Sequence, residues 1–155
     1  MARHAETLLI LALAAAPMAA AQTHVDGAAQ LTRESIETQR RMLVGGSLPL
    51  TESEAAAFWP LFDAYQRDLA PVRERSARVA TEFLNAGAQV TDERARAMMA
   101  DLLTADEQAL ALRKKYMKEM GRALPPRKLA LYFQLERKVD AVIAYEYAQR
   151  VPLLR

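Results

Sequence analysis

The apolar positions of the chain recur at helical spacing and divide it into four segments. In the second and third segments they alternate at intervals of four and three residues, which keeps them on one face of a helix. No segment alternates apolar and polar residues strictly, as a half-buried strand does. The five glycines lie outside these segments, where turns and helix ends favour glycine. The pattern predicts an all-α chain with helices at about 28–44, 52–86, 92–120 and 126–149.

The four–three spacing favours long helices packed nearly antiparallel at shallow crossing angles. Pro60 and Pro71 lie inside the second predicted helix, eleven residues and so close to three turns apart, and both should bend it in the same direction. Phe58, Phe62 and Tyr65 fall nearly opposite the prolines, on the concave side. Two interpretations stay open: the helix curves round its own core, or it forms an open cradle whose aromatic side chains bind client proteins.

The predicted helix starts carry capping residues. Thr51, with Glu54 three residues later, has the spacing of a capping box, in which each side chain accepts a hydrogen bond from the other residue's backbone N–H. Thr91 has the spacing of an N-cap for the third helix. Pro125 and Pro126 suit the start of the fourth helix, because a missing N–H costs little in the first turn.

The first 21 residues have the pattern of a signal peptide rather than of a structural element. A short basic start precedes a continuous apolar run from Leu8 to Ala16, Pro17 ends the run, and alanines at 19–21 provide the small residues that cleavage needs. The nine apolar residues of that run are too few to span roughly 30 Å of hydrocarbon, so no membrane span is expected. We expect cleavage after Ala21 and a mature chain, residues 22–155, that forms a single helical domain.

Composition excludes several classes of function. The chain has no cysteine, which excludes disulfides, thiol catalysis and cysteine-bound zinc. Its formal net charge is +2 without a long run of like charge, and nothing in it resembles a nucleic-acid-binding arm. Phosphate-loop and dinucleotide-binding motifs, a Gly-x-Ser-x-Gly elbow and paired Glu-x-x-His turns are absent from the sequence. We therefore expect neither an enzyme nor a bound cofactor.

One short motif has metal-binding chemistry. Cleavage after Ala21 would leave Gln22-Thr23-His24 at the new N-terminus. A free amine, two backbone amides and an imidazole at the third position form a square-planar nitrogen site suited to Cu(II) or Ni(II). The alternative is that His24 belongs to a frayed terminus without a ligand. His24 is thus the one candidate metal ligand, and a role in heavy-metal stress is an alternative function.

Methionines cluster in the third predicted helix, and methionine is both a core filler and a frequent residue of adaptable binding surfaces. Met98 lies on the apolar seam and is expected in the core. Met99 and Met117 lie beside the seam and are candidates, together with the aromatic residues of the second helix, for a surface that binds client proteins.

The start of the second predicted helix carries a short motif, Leu50-Thr51-Glu52-Ser53-Glu54. With the signal peptide, the four helices and the lack of cysteine, it makes the chain resemble the Spy/CpxP family of periplasmic proteins, also called the LTxxQ family. Glu stands here at the final Gln of the family motif. A second motif is expected before the fourth helix, where this chain keeps only the leucine, in Leu124-Pro125-Pro126-Arg127-Lys128.

The resemblance implies a cradle-shaped, antiparallel and intertwined homodimer in the periplasm. Such proteins bind unfolded or partly folded proteins without ATP, or tune an envelope stress sensor. Metal-responsive relatives use histidine-containing sites, which this chain lacks beyond His24. The sequence therefore predicts a chaperone-like or stress-protective protein. Its alternatives are an adaptor that binds a sensor domain, a heavy-metal-stress protein, and a structural dimer without a client.

Overall fold

The computed structural model describes residues 38–86, 89–151 and 153, and the regular structure within them is helical, with no strand. The prediction of an all-α fold is confirmed. Residues 40–155 belong to one compact unit of the chain. The described helices are α1, which includes residues 38–47, α2 (Glu52–Ala86), α3 (Asp92–Met120) and α4 (Pro126–Arg150).

The predicted bounds of α2 and α3 agree with the structure, and α4 ends one residue later than expected. The end of α1 differs more, because the helix continues past 44 through Gly45 and Gly46 to residue 47. The Trp59 ring lies close to Gly45, since a Cβ placed there would be 3.8 Å from the ring. Gly45 and Gly46 therefore lie within the helix, and Trp59 packs against it at Gly45. The predicted signal peptide, His24 and the predicted start of the first helix lie outside the described residues.

The core is aromatic and is centred on one face of α2. Rings from α2 and α4 meet edge to face, as with Phe58 and Tyr132, whose centroids are 5.1 Å apart at an interplanar angle of 78°. Each such pair contributes roughly 0.5–1.5 kcal/mol beyond the area it buries. Residues from all four helices and from the loop before α4 complete the core: Val44, Leu48, Phe58, Phe62, Tyr65, Leu69, Tyr116, Met120, Leu124, Tyr132 and Phe133.

Helices α2 and α3 run antiparallel along their contact. The Tyr65 and Tyr116 rings meet near the middle of α2, with centroids 5.0 Å apart. Near the end of α2, Glu82 pairs with Arg94 in the first turn of α3. As the residue number rises along α2, that of its partner in α3 falls, as the four–three spacing predicts.

Helix α4, unlike α3, runs parallel to α2 where the two helices are in contact. Phe58 contacts Tyr132, and further along α2 the Gln66 amide donates to Glu136. The residue numbers of these contacting pairs rise together along both helices, so the first half of α4 runs in the same direction as α2. The second half of α4 is largely exposed: of its residues after Asp140, only Ile143 is half-buried.

The local signals for helix ends act as the sequence predicts. Thr91 has extended backbone angles and its hydroxyl accepts a hydrogen bond from the Arg94 N–H at 3.2 Å. Pro125 precedes α4, and Pro126 is its first residue. Pro60 and Pro71 are both exposed, on the side of α2 away from its buried aromatic residues. In the part of the chain that the structure describes, no helix is long and apolar enough to cross a membrane.

Candidate binding surface

The motif at the start of α2 forms a reciprocal capping box. The Thr51 N–H donates to Glu54 Oε2 at 2.7 Å, and the Glu54 N–H donates to the Thr51 hydroxyl at 3.3 Å. Two backbone donors that would otherwise lack partners at the helix start are satisfied in this way. Leu50, the first residue of the motif, packs against the core. The predicted helix cap is thus present in full.

The two motif segments lie against each other. Lys128 Nζ donates to Glu54 Oε2 at 2.6 Å, so the fifth residue of one segment pairs with the fifth residue of the other. Leu124, the first residue of the second segment, is buried in the core against which Leu50 packs. The Lys128 ammonium, together with the Thr51 N–H, holds the pKa of Glu54 below its usual value. One signal for this pair is present in the sequence, namely a negative and a positive charge at equivalent positions of the two segments.

The other residues of the second segment have lesser roles. Pro125, Pro126 and Arg127 are exposed, and Pro126 begins α4. The second segment therefore contributes a core leucine, Leu124, and a cationic partner for Glu54, Lys128. These two residues hold the start of α4 against the start of α2.

A buried ion pair joins α1 to α4. Arg40 Nη1 donates to Glu136 Oε2 at 2.6 Å, and both of its terminal nitrogens lie 3.3 Å from Asp140 Oδ1. The Arg40 and Glu136 side chains are only 1% and 3% exposed. The Arg40 Nε is buried without a partner among the described residues. The sequence does not predict this pair, because 96 residues separate its members and helical spacing relates only near neighbours.

Helix α2 extends the same polar network. Gln66 Nε2 donates to Glu136 Oε1 at 3.1 Å, and Arg73 Nη1 donates to Gln66 Oε1 at 2.7 Å. Burial, and then the nearby Arg40 charge, lower the pKa of Arg73. Burial and the Glu136 carboxylate raise the pKa of Tyr132. The network joins three helices, since Arg40 comes from α1, Gln66 and Arg73 from α2, and Glu136 from α4.

The aromatic residues proposed for client binding are part of the core. Phe58, Phe62 and Tyr65 are all buried, and their rings contact Tyr132, Phe133 and Tyr116. Of the two interpretations that the sequence left open for them, the described contacts show a helix packed round its own core. A side chain without solvent access does not meet a client unless the domain opens.

An apolar stripe lies on the outer face of α3. We call it the α3 stripe; it consists of Met99, Leu103, Leu110 and Met117, which are 52%, 59%, 46% and 42% exposed. At about 100° per residue, these positions fall within about 40° of one another round the helix. Two of the four are the methionines that the sequence singled out, and Met98, one position away, is fully buried as expected. The two leucines were missed because they lie beside the core seam, where spacing alone does not separate exposed from buried positions.

The helix that carries the α3 stripe is firmly packed on its other side. Met98, Ala105, Tyr116 and Met120 are its buried residues. The Tyr116 hydroxyl donates to Asp68 on α2 at 2.6 Å, and this hydrogen bond is the main cause of the lowered pKa of Asp68. The stripe is therefore held in place by a docked helix, and it presents methionine and leucine side chains, which adapt readily to irregular apolar partners.

The described residues contain no group of three or more His, Asp or Glu side chains arranged to hold a metal ion. His24 lies outside them, so the sequence hypothesis of a terminal copper site stays a prediction.

Comparison with protein-family models, with curated proteins and with solved structures found no match to this chain. The resemblance to the Spy/CpxP family therefore rests on the motif, the signal-peptide pattern and the helix layout alone.

Proposed function

We propose that this protein is an ATP-independent, chaperone-like or stress-protective protein of the periplasm, and that the α3 stripe holds apolar segments of unfolded or partly folded proteins. The α3 stripe is the single observation that carries the proposal. Four exposed apolar side chains aligned on one face of a docked helix provide a surface that an apolar partner can bind. The signal-peptide pattern and the resemblance to the Spy/CpxP family support the compartment and the class of client.

The chemistry of the stripe suits clients of many sequences. Methionine is unbranched and polarisable, so the two ends of the stripe can repack against differently shaped partners. Charged residues border it, among them Asp106, Arg113 and Lys114. Such charges give weak, steering contacts without selecting one sequence. A surface of this kind holds an exposed apolar segment briefly and releases it without an energy source.

Aggregation of an unrelated unfolding protein, followed by light scattering without ATP, tests the proposal. The wild-type protein is expected to suppress scattering at near-stoichiometric amounts. Leu103→Gln/Leu110→Gln is expected to lose most of that suppression, since it places amides in the middle of the stripe. The matched control, Val142→Gln/Tyr145→Gln, changes two equally exposed apolar residues of α4, which are 63% and 64% exposed, and is expected to protect like the wild type.

Two outcomes would contradict the proposal. If the folded wild-type protein leaves scattering unchanged, it has no general chaperone activity, and a sensor-domain adaptor becomes the leading function. If both double variants protect as well as the wild type, protection does not depend on the α3 stripe. Far-UV circular dichroism of each variant establishes that it is folded, and all four substituted residues are exposed enough for the fold to tolerate the change.

A further inference from the structure

The outer side of α4 carries positive charge without negative charge. Five of its exposed residues fall within an arc of about 140° round the helix, at about 100° per residue. We call this surface the α4 outer face; it consists of Arg127, Arg137, Lys138, Val142 and Tyr145. The other exposed positions of the arc are alanine or glutamine. The face therefore has a charge of +3, which exceeds the formal net charge of +2 of the whole chain.

The acidic residues of α4 lie on the rest of the helix surface and are paired. Arg40 contacts Glu136 at 2.6 Å and Asp140 at 3.3 Å, so both carboxylates are turned towards α1. Glu146 pairs with Arg150, one turn further along α4. In contrast, the three cations of the α4 outer face form no ion pair with any described residue. Their charge is therefore available to a partner outside the chain.

Exposed apolar side chains follow the cations along the same face. Val142 and Tyr145 are 63% and 64% exposed, and they come four and seven residues after Lys138. Leu153, just beyond the end of α4, is 90% exposed. From Arg127 to Tyr145 the face extends over 18 residues, about 27 Å along the helix. The α4 outer face thus passes from a cationic half to an apolar half.

We propose that the α4 outer face binds the surface of an anionic lipid bilayer, with α4 lying along the headgroups. The guanidinium and ammonium groups contact lipid phosphates, and each cation close to an anionic surface strengthens the binding. Val142 and Tyr145 enter the headgroup layer, where the apolar ring and the hydroxyl of a tyrosine both find suitable surroundings. A helix that combines cations with exposed apolar side chains on one face is suited to such an interface.

An acidic protein is the alternative partner for a cationic face. A protein surface of fixed shape is recognised by charged side chains held in matching positions, whereas no ion pair with a described residue holds Arg127, Arg137 or Lys138 in place. Binding between proteins also centres on pockets filled by large side chains, and alanine and glutamine occupy the spaces of this face. Lipid headgroups rearrange round a cation wherever it lies, so these features favour a bilayer.

Sedimentation with lipid vesicles tests the proposal. The protein is used without residues 1–21, because the apolar run of the predicted signal peptide would itself bind lipid. At low salt, binding to vesicles of phosphatidylglycerol and phosphatidylcholine is expected to be at least about tenfold tighter than binding to phosphatidylcholine alone. High salt should remove most of this preference, because it screens charge. Equal affinity for the two kinds of vesicle, or no binding to either, would overturn the proposal.

Two double variants with the same change in charge locate the binding surface. Arg137→Gln/Lys138→Gln removes two cations of the α4 outer face and is expected to lose most of the preference for anionic vesicles. The matched control, Lys114→Gln/Lys118→Gln, removes two exposed lysines of α3 and should keep most of that preference. All four residues are exposed, so the fold tolerates either change. An equal loss in the two variants would show a response to net charge alone and would contradict the assignment to α4.

Poly-glutamate distinguishes a bilayer from an acidic protein. It supplies negative charge without a headgroup layer that Val142 and Tyr145 can enter. We expect it to displace little of the protein from anionic vesicles when its carboxylates equal the lipid phosphates in concentration. Full displacement under that condition would favour an acidic protein as the partner and would overturn the bilayer.

This inference does not rest on the proposed function, because it concerns a different helix. Val142→Gln/Tyr145→Gln is expected to weaken binding to anionic vesicles while it still suppresses aggregation. Leu103→Gln/Leu110→Gln is expected to bind these vesicles like the wild type while it loses suppression. If vesicle binding falls with the α3 variant and not with the α4 variant, the α4 outer face is not the membrane-binding surface, whatever the aggregation assay shows.

Discussion

At the scale of single residues, Glu54 has two partners for one carboxylate oxygen. Its Oε2 accepts hydrogen bonds from the Thr51 N–H and from Lys128 Nζ, at 2.7 and 2.6 Å. It thereby completes the cap of α2 and fixes the start of α4 at the same point. Glu54 and Lys128 therefore hold the two helix starts together by an ion pair.

The first prediction concerns the pKa of Glu54. Because its pKa in the folded protein lies below the ordinary value of 4.5, Glu54 stabilises the fold above the unfolded-state pKa, and this contribution is lost as pH falls through the folded-state value. Lys128→Met removes the largest cause of the shift, so the pKa of Glu54 should rise towards 4.5. Carboxyl titration by NMR measures it. Lys118→Met, which removes an exposed lysine that has no ion pair with any described residue, is the control. An unchanged Glu54 pKa in Lys128→Met would contradict the explanation.

At the scale of the elements, α1 is held by residues spaced four apart. Arg40, Val44 and Leu48 are all buried, and the Leu48 N–H donates to the Val44 carbonyl at 2.9 Å, which continues the helical pattern to the loop. Val44 and Leu48 belong to the common core, and Arg40 forms an ion pair with Glu136 of α4. Docking of α1 therefore depends on one buried ion pair as well as on packing.

The second prediction tests that ion pair. Arg40→Met leaves Glu136 buried without its closest cationic partner and is expected to cost about 3–5 kcal/mol of unfolding free energy. Arg40→Met/Glu136→Met removes both charges and should recover much of the loss, because the remaining site is apolar. Arg150→Met, which breaks the exposed i,i+4 pair with Glu146, serves as control and should change stability by no more than about 0.5 kcal/mol.

Denaturant unfolding followed by circular dichroism gives these free energies. A loss below about 1 kcal/mol for Arg40→Met would show that the pair is no stronger than a surface salt bridge. Such a result would also contradict the conclusion that Arg40 holds α1 against α4.

The elements differ in how far the sequence predicts them. The bounds of α2, α3 and α4 follow from signals within a few residues of each helix end, such as Thr51 with Glu54 and Pro126, and these were predictable. The end of α1 was not, because Trp59 from another helix packs beside Gly45. The Arg40–Glu136 pair and the exposure of Leu103 and Leu110 depend equally on tertiary contacts, which periodicity does not encode.

At the scale of the whole molecule, the most informative feature is the set of apolar side chains that are exposed rather than packed in the core. The aromatic residues that the sequence proposed for client binding hold the helices together, and the α3 stripe is an exposed apolar surface among the described residues. In the proposed function, the shared core of the four helices provides stability, and the outer face of α3 provides binding. A variant of the stripe should therefore lose binding while keeping the fold.

The claim that the α3 stripe binds clients is tested most directly by measuring contact between the stripe and an unfolded protein. Leu110→Cys, labelled with an environment-sensitive dye, is mixed with a permanently unfolded protein, and Val142→Cys with the same dye is the control. We predict a saturable blue shift at position 110 and none at position 142. Equal shifts at both positions, or no shift at position 110 while the protein still suppresses aggregation, would contradict the assignment of client binding to the α3 stripe.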